Sequence, residues 1–147
     1  REAKGIIEAY FAEFADLKAY QTQVVEEAKE NGYVETVLGR KRWLPDITSA
    51  NAVVRGFAER NAINAPIQGS AADIIKMAMV RIHRALDEGG FKARMILQVH
   101  DELVFDVPTE EVEAVRDLVC SHMEQAVELA VPLEVEAQTG QDWLEAH

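Results

Sequence analysis

Residues 95–107, MILQVHDELVFDV, form the stretch that decides the fold. Apolar and polar side chains alternate on both sides of His100-Asp101-Glu102, and a period of two is typical of β-strands. The alternation predicts a hairpin that turns at these three residues. Each arm should present one apolar face, formed in the first arm by Met95, Leu97 and Val99 and in the second by Leu103, Phe105 and Val107.

The turn of this hairpin has an unusual composition. A two-residue hairpin turn favours Asn-Gly, Asp-Gly or a leading glycine, because its central residues adopt positive φ. Here the turn contains a histidine and two acids. Residues that suit their local structure poorly often mark a functional constraint. The competing interpretation is an ordinary hairpin with a solvated polar tip, and the pattern alone leaves both open.

The sequence before this hairpin predicts a helix and a second, shorter hairpin. Apolar residues recur at helical spacing from Ile6 to Val25, and Asn31-Gly32 is a helix-stop signal, so one helix is predicted there. Alternation over residues 33–38 and 41–44 then predicts a short hairpin that turns at Gly39-Arg40.

Two helices are predicted between the hairpins. Thr48 or Ser49 can cap the first helix, and Pro66 should end it, because proline lacks the amide donor and clashes with the preceding turn. Ser70, with Asp73 three residues later, resembles a capping box at the start of the second helix.

The remaining signals complete an α+β pattern. Gly89-Gly90 should end the second of those helices, and Thr109 should cap a last one. Leu133, Val135 and Ala137 alternate with polar residues, which predicts a final strand. The order helix, hairpin, helix pair, hairpin, helix, strand predicts an α+β fold in which helices pack on one face of an antiparallel sheet.

The charge of the chain is unevenly distributed. The formal net charge is -11, yet residues 1–92 carry 13 basic and 13 acidic side chains, whereas residues 93–147 carry 2 basic and 13 acidic ones. Nucleic acids bind basic surfaces, so DNA contact is predicted through the middle of the chain and not through its acidic end. The basic residues of that middle segment are Arg40, Lys41, Arg42, Arg55 and Arg60.

The single cysteine and the hydropathy pattern bear on location. Cys120 lies among apolar positions of the last predicted helix, so a buried, unreactive thiol in a reducing cytosol is expected. No apolar run approaches the roughly 20 residues that a membrane-spanning helix needs.

Several motifs follow one another in an order that resembles the family A DNA polymerases over nearly the whole chain. A lone His-Asp-Glu would be a weak signal, whereas several motifs in the right order are specific. The matching segments are GYVET (32–36), LGRKR (38–42), LPDI (44–47), ERNAINAPIQGSAADII (59–75), QVHDELV (98–104) and WLEAH (143–147).

The resemblance implies a division of the chain. Residues 1–48 would be part of the fingers, and residues 49–147 the carboxyl-terminal half of the palm. The family's first catalytic aspartate, on an upstream palm strand, and its nucleotide-binding fingers helix have no counterpart here, so the isolated chain is expected to be inactive. Without that strand the palm sheet should expose an edge through which two copies could pair. The resemblance places the parent protein in the bacterial cytoplasm.

The same resemblance implies a metal-dependent nucleotidyl transfer at the hairpin turn. The parent would add deoxynucleotides from dNTPs to a primer on template DNA. Such a reaction uses two divalent ions about 3.5–4 Å apart, and Mg²⁺ favours carboxylate oxygen. Asp101 would be the family's second catalytic aspartate and a magnesium ligand. Glu102 would assist nearby, and His100 would donate a hydrogen bond at the primer terminus.

A second candidate site lies in the 59–75 segment. Arg60, Asn64 and Gln68 are spaced by four, which places them on one side of a helix. All three can donate hydrogen bonds to the purine N3 and pyrimidine O2 acceptors of the minor groove. The resemblance implies contacts with primer-template DNA at these positions, while simple helix solvation is the alternative. The basic turn at residues 40–42 could hold backbone phosphates.

Two other functions compete with this interpretation. A stand-alone metal-dependent phosphohydrolase could use His100-Asp101-Glu102, but it would need further ligands. A non-enzymatic DNA-binding or interaction module is the other alternative, and salt-sensitive DNA binding by the chain alone would favour it.

Overall fold

Four α-helices and two antiparallel hairpins make up the computed structural model, which describes residues 2–146. Its strands form two separate two-stranded sheets, so the predicted α+β class is confirmed. The chain divides into two compact units, the first ending at Ser70 and the second beginning at Ala71. In order, the elements are α1 (Glu2–Glu13), α2 (Ala15–Asn31), β1 (Tyr33–Glu35), β2 (Lys41–Trp43), α3 (Ala52–Glu88), β3 (Arg94–Val99), β4 (Glu102–Asp106), the 3-10 turn Thr109–Glu111 and α4 (Val112–Glu124).

The first predicted helix is split at Phe14. This residue has φ −109° and ψ 61°, which lies outside the helical region, so the prediction of one uninterrupted helix is wrong. At the break the Phe14 ring packs on that of Tyr10, with 4.8 Å between centroids. The predicted stop is confirmed, because Gly32 has φ 79° and its amide donates to the carbonyl of Ala28.

The core of the first unit lies where α2, the β1–β2 hairpin and the first part of α3 meet. The hairpin register pairs Val34 with Arg42 on one face, and Tyr33 with Trp43 on the other. Val34 points into the core, so Arg42 shares the core-facing side of the hairpin. The buried residues of this core are Val24, Ala28, Val34, Leu44, Ile47, Ala58 and Ala62.

Helix α3 begins with a different cap from the one predicted. The side-chain oxygen of Asn51 accepts hydrogen bonds from the amides of Val53 and Val54, at 2.9 and 3.4 Å. Asparagine is among the strongest N-caps, and its position directly before the helix explains why it replaces Thr48 and Ser49 in this role.

The predicted interruption of α3 at Pro66 is wrong. The helix runs from Ala52 to Glu88 with Pro66 inside it. Ser70 does not cap a new helix, because its hydroxyl donates to the carbonyl of Pro66 one turn earlier. Core packing of the residues before the proline and hydrogen bonds to the residues after it hold the helix together, although proline costs one backbone hydrogen bond. The predicted end is confirmed, since Gly90 takes φ 67° two residues after Glu88.

The β3–β4 hairpin forms where predicted, but a bulge changes which side chains share a face. Met95 pairs with Phe105 and Leu97 with Val104, so Ile96 is an extra residue in β3. Paired residues of an antiparallel ladder lie on the same face, and successive residues alternate. Leu97 therefore lies on the face opposite Met95. The predicted common face of Met95, Leu97 and Val99 is wrong.

The second unit has its own core beneath one face of this hairpin. Met95, Leu103 and Phe105 pack against it from the strands. Within residues 2–146 the sheet of β3 and β4 contains two strands. Each strand therefore has one edge whose backbone groups have no strand partner, which is the exposed sheet edge that was predicted. The buried residues are Ala78, Ile82, Leu86, Ala93, Val115, Val119 and Ala126.

The start of α4 differs from the prediction. Thr109 lies in a 3-10 turn and gives no side-chain cap, because the amide of Glu111 is already bonded to the carbonyl of Pro108 at 2.8 Å. The Glu111 carboxylate instead accepts the amides of Lys92 and Ala93, at 2.9 and 3.1 Å. Cys120, predicted to be buried, is half-buried.

The predicted final strand is also wrong. Leu133 and Val135 are half-buried while Glu134 and Glu136 are exposed, so the alternation is real, but residues 133–138 form no strand. A strand needs a neighbour to take up its backbone groups. Within residues 2–146 neither hairpin pairs with this segment. Among the same residues there is no helix with the length and apolar character that crossing a membrane requires.

Candidate functional site

The turn between β3 and β4 is held in a conformation that favours glycine. His100 has φ 53°, and it is the one non-glycine residue with positive φ among residues 2–146. Such a conformation costs a non-glycine residue about 1–2 kcal/mol. The side-chain amide of Gln98 donates to the carbonyl of His100 at 2.7 Å and closes the turn. The mismatch that the sequence suggested is therefore present as backbone strain.

The acids at this turn are open to solvent. Asp101 follows His100 directly, and Glu102 opens β4 opposite Val99. His100, Asp101 and Glu102 are all exposed. The Asp101 carboxylate takes no hydrogen bond or ion pair from any residue in 2–146. The turn therefore presents a carboxylate whose oxygens are available to a ligand.

These carboxylates suit a magnesium ion in their chemistry. Mg²⁺ prefers oxygen ligands, keeps several waters and needs only one or two carboxylates from a protein. Asp101 and Glu102 supply such oxygens side by side. The part of the chain that the structure describes contains no group of three or more His, Cys, Asp or Glu side chains placed to hold a metal. The hairpin tip therefore offers part of a coordination shell.

The structure places the three residues of the second predicted site beside two different cavities. Asn64 and Gln68 line a cavity of about 240 Å³ between α3 and the β1–β2 hairpin, together with Arg40 and Arg42. Arg60 lines a different cavity, about 400 Å³ in volume, beside α2. A spacing of four residues advances about 40° around a helix, so the first and last of the three diverge by about 80°. The structure thus brings Asn64 and Gln68 together and places Arg60 apart from them.

Sequence reasoning did not select Asn61 as a site residue, although it is a polar residue of the first cavity. Asn61 lines it beside Asn64. The spacing of three between these two residues places them on one helix face, and this signal could have identified Asn61.

Two basic residues of the 40–42 turn, Lys41 and Arg42, also lie on opposite faces of the hairpin. Lys41 stacks over the ring of Tyr33 at 4.0 Å and pairs with Glu35 at 3.5 Å. Contact with Tyr33, and then with Glu35, raises the pKa of Lys41 above its usual value. Arg42 lies on the other face of β2 and lines the cavity with Gln68. The period of two thus directs Arg42, and not Lys41, toward the candidate DNA-contacting side chains.

Comparison with known proteins identifies the class. The profile of DNA polymerase family A matches residues 1–145. The chain belongs to DNA polymerase family A.

The relatives of this chain include DNA polymerases I from two bacteria. The chain is 51% identical over 146 residues to DNA polymerase I of Lactococcus lactis subsp. lactis, and 54% identical to DNA polymerase I of Geobacillus stearothermophilus. Each alignment covers 99% of this chain and 17% of the relative, so the chain spans about a sixth of the length of these proteins.

A solved structure matches the fold closely. It is the POL domain of Pol1 from M. smegmatis in complex with DNA primer-template and dNTP, with a TM-score of 0.96 and 49% sequence identity. The match covers 99% of this chain and 26% of that one.

Proposed function

We propose that the protein containing this chain is a DNA polymerase I that extends a primer on a DNA template, using dNTPs and Mg²⁺ in the bacterial cytoplasm. The observation that carries the proposal is the strained turn at His100, which presents the exposed Asp101 carboxylate. Strain of this kind is concentrated at functional sites. Family membership and the DNA- and dNTP-bound relative support the choice of reaction.

In this proposal the residues of the hairpin tip have separate roles. Asp101 holds the magnesium ion, and Glu102 assists from the adjacent position. Magnesium, when bound, would activate the primer hydroxyl and neutralise charge on the leaving phosphate. His100 donates a hydrogen bond at the primer terminus. The part of the shell that this chain does not provide would come from elsewhere in the polymerase, so we expect the isolated 147-residue chain not to extend primers.

The residues of the first unit would contact DNA. Asn64 and Gln68 donate to minor-groove acceptors, which occur in correct base pairs of every sequence. Arg42 lies in the same cavity and would bind a backbone phosphate. Arg60 would contact the primer-template from its separate position. We assign residues 1–48 to the fingers and residues 49–147 to the palm, and pairing of two isolated chains through the free edge of β3–β4 remains a proposal.

The metal role is tested with Asp101→Asn in the whole polymerase. We expect primer extension to fall about a thousandfold or more, because several kcal/mol of charge stabilisation is lost. Affinity for primer-template should change little in a binding titration. Asp106→Asn is the matched control, since Asp106 is an exposed aspartate at the other end of β4. Near-normal extension by Asp101→Asn would refute the assignment.

The minor-groove role is tested with Gln68→Ala in the same protein. Loss of one hydrogen bond should slow extension of a correct primer terminus about tenfold and weaken discrimination against a mismatched terminus. The measurement is the ratio of extension rates from matched and mismatched primers. An unchanged ratio would count against minor-groove contact by Gln68.

A further inference from the structure

Helix α3 is locally weak next to Gln68. Pro66 lies two residues before Gln68 and has no amide to donate to the carbonyl of Ala62, so the helix lacks one of its backbone hydrogen bonds there. Asn64 lies before the proline and Gln68 after it. A helix that bends at Pro66 would change the position of one of these amides relative to the other.

The β1–β2 hairpin supports the helix on the far side of this weak point. The amide of Val37 donates to the Ser70 hydroxyl oxygen at 2.8 Å, and that hydroxyl donates to the carbonyl of Pro66 at 2.5 Å. The Arg40 guanidinium donates to the carbonyl of Gly69 at 3.1 Å. These contacts reach residues 66, 69 and 70, which bracket Gln68.

The close approach of the hairpin depends on Gly69. A Cβ atom at this position would lie 2.6 Å from Cγ2 of Thr36 and 3.4 Å from the Arg40 guanidinium. Real Cβ atoms do not approach other carbon atoms so closely, so a side chain here would either displace the Thr36 side chain, whose hydroxyl oxygen accepts the Arg40 amide, or push the hairpin away. The absence of a side chain at Gly69 therefore allows the hairpin turn to pack directly against α3.

The hairpin turn is itself well ordered by hydrogen bonds. The amide of Thr36 donates to the carbonyl of Arg40 at 3.0 Å, and the amide of Gly39 donates to the carbonyl of Thr36 at 2.9 Å. The Arg40 amide also donates to the Thr36 hydroxyl oxygen at 3.1 Å. Gly39, with φ 78°, permits the turn. A turn fixed in this way can hold the helix in position.

We propose that the β1–β2 hairpin is a positioning element for Gln68, with Ser70 and Arg40 as its positioning residues. This inference rests on the proposed DNA contact of Gln68. The hairpin fixes the turn of α3 that follows Pro66, so that the Gln68 amide lies at hydrogen-bonding distance from a correctly paired base. Minor-groove hydrogen bonds weaken steeply with distance and angle, which makes the discrimination of base pairs depend on this support.

The test uses Ser70→Ala in the whole polymerase, because alanine removes the bridging hydroxyl and favours the helix. The readout is the matched-to-mismatched extension ratio used for Gln68→Ala. We expect Ser70→Ala to shift the ratio in the same direction as Gln68→Ala, by about two- to fivefold, somewhat less than loss of the contact itself. Ser70→Thr keeps the hydroxyl and should restore the ratio.

The double variant separates positioning from a general structural effect. If Ser70 acts through Gln68, adding Ser70→Ala to Gln68→Ala should change the ratio no further. Ser121→Ala is the matched control, since Ser121 is an exposed helical serine of α4 that accepts a bond from Gln125. Arg40→Ala removes the other support and should act in the same way, so a poorly folded Ser70 variant does not leave the proposal untested.

The outcomes distinguish this inference from the proposed function. If Gln68→Ala leaves the ratio unchanged, the DNA contact itself is refuted. If Gln68→Ala changes the ratio but Ser70→Ala and Arg40→Ala do not, the contact stands and positioning by the hairpin is refuted. Additive effects in the double variant would also overturn the positioning role.

Discussion

The two hairpins of this protein are anchored at opposite ends. The β1–β2 hairpin is held at its turn, where Val37 and Arg40 bond to Ser70 and Gly69 of α3. The β3–β4 hairpin is held at its base, where the Glu111 carboxylate accepts the amides of residues 92 and 93 just before β3. Its turn is exposed. A hairpin fixed at its turn can support a neighbouring helix, whereas one fixed at its base can present its turn to a ligand.

The turns themselves show the same contrast in backbone energy. Gly39 takes φ 78° in the first turn, a conformation that glycine adopts without cost. His100 takes φ 53° in the second, where glycine would be more stable. The first turn is therefore built for stability, and the second keeps a strained residue beside the proposed metal ligand.

The largest effect on stability is expected from the base of the second hairpin. Glu111→Ala leaves the exposed amide of Lys92 and the part-buried amide of Ala93 without their charged acceptor, which should lower the free energy of unfolding of the chain by about 2–3 kcal/mol. Glu113→Ala is the control. Glu113 is exposed and pairs with Arg116, so its loss should cost less than about 1 kcal/mol. Denaturant titration measures both, and equal losses would contradict the anchoring role of Glu111.

The next effect tests the close packing of the first hairpin against Gly69. Gly69→Ala should lower the free energy of unfolding by about 1–3 kcal/mol, because the new Cβ overlaps Thr36. Gly56→Ala, in the same helix, meets only the Arg60 guanidinium at 3.8 Å. It should raise stability by about 0.5–1 kcal/mol through helix propensity. If both substitutions stabilise the chain, the hairpin does not pack closely against residue 69.

The smallest effect compares the two turns directly. His100→Gly should raise the free energy of unfolding by about 0.5–1 kcal/mol by removing strain, and Gly39→Ala should lower it by a similar amount by adding strain. In the whole polymerase, His100→Gly should still lose extension activity, because the proposed donor to the primer terminus is gone. Thermal unfolding compares the two variants, and a stability loss for His100→Gly would show that its side chain, and not its backbone, governs the turn.

Local sequence patterns were sufficient to predict both hairpins and two of the helix ends. Both hairpins formed where alternation indicated, and Gly32 and Gly90 ended helices as their conformational freedom suggests. The positive φ that a tight turn requires occurs at His100, within the predicted turn at residues 100–102, and the functional constraint inferred from these residues stays a prediction. These features depend on a few neighbouring residues, so one sequence contains enough information to find them.

Some of the wrong predictions have a different cause, because they depend on contacts, present or missing, with residues distant in sequence. Pro66 stays inside α3 although local rules predict a break, and the hydroxyl of Ser70 bonds both to that proline and to Val37. The segment at 133–138 has strand-like alternation but no partner strand within residues 2–146. A bulge of one residue at Ile96 leaves no mark on the alternating pattern, yet it moved Leu97 and Val99 to the opposite face.

The candidate sites could be predicted only in part for the same reason. The hairpin-tip acids were found from their position and from the family resemblance. The division of the residue 60, 64 and 68 set between two cavities depends on where α2 and the hairpin pack, which helical spacing does not specify. Their proposed roles remain predictions.

The bulge at Ile96 also affects how the isolated chain should behave in solution. Ile96 and Leu97 are 60% and 46% exposed, and the bulge places Leu97 on the face of the hairpin away from the core of its unit. Side chains of this size attract one another in water, so concentrated solutions of the chain should scatter light and precipitate more readily than its high negative charge suggests. Threonine at both positions would keep the strand propensity and improve solubility.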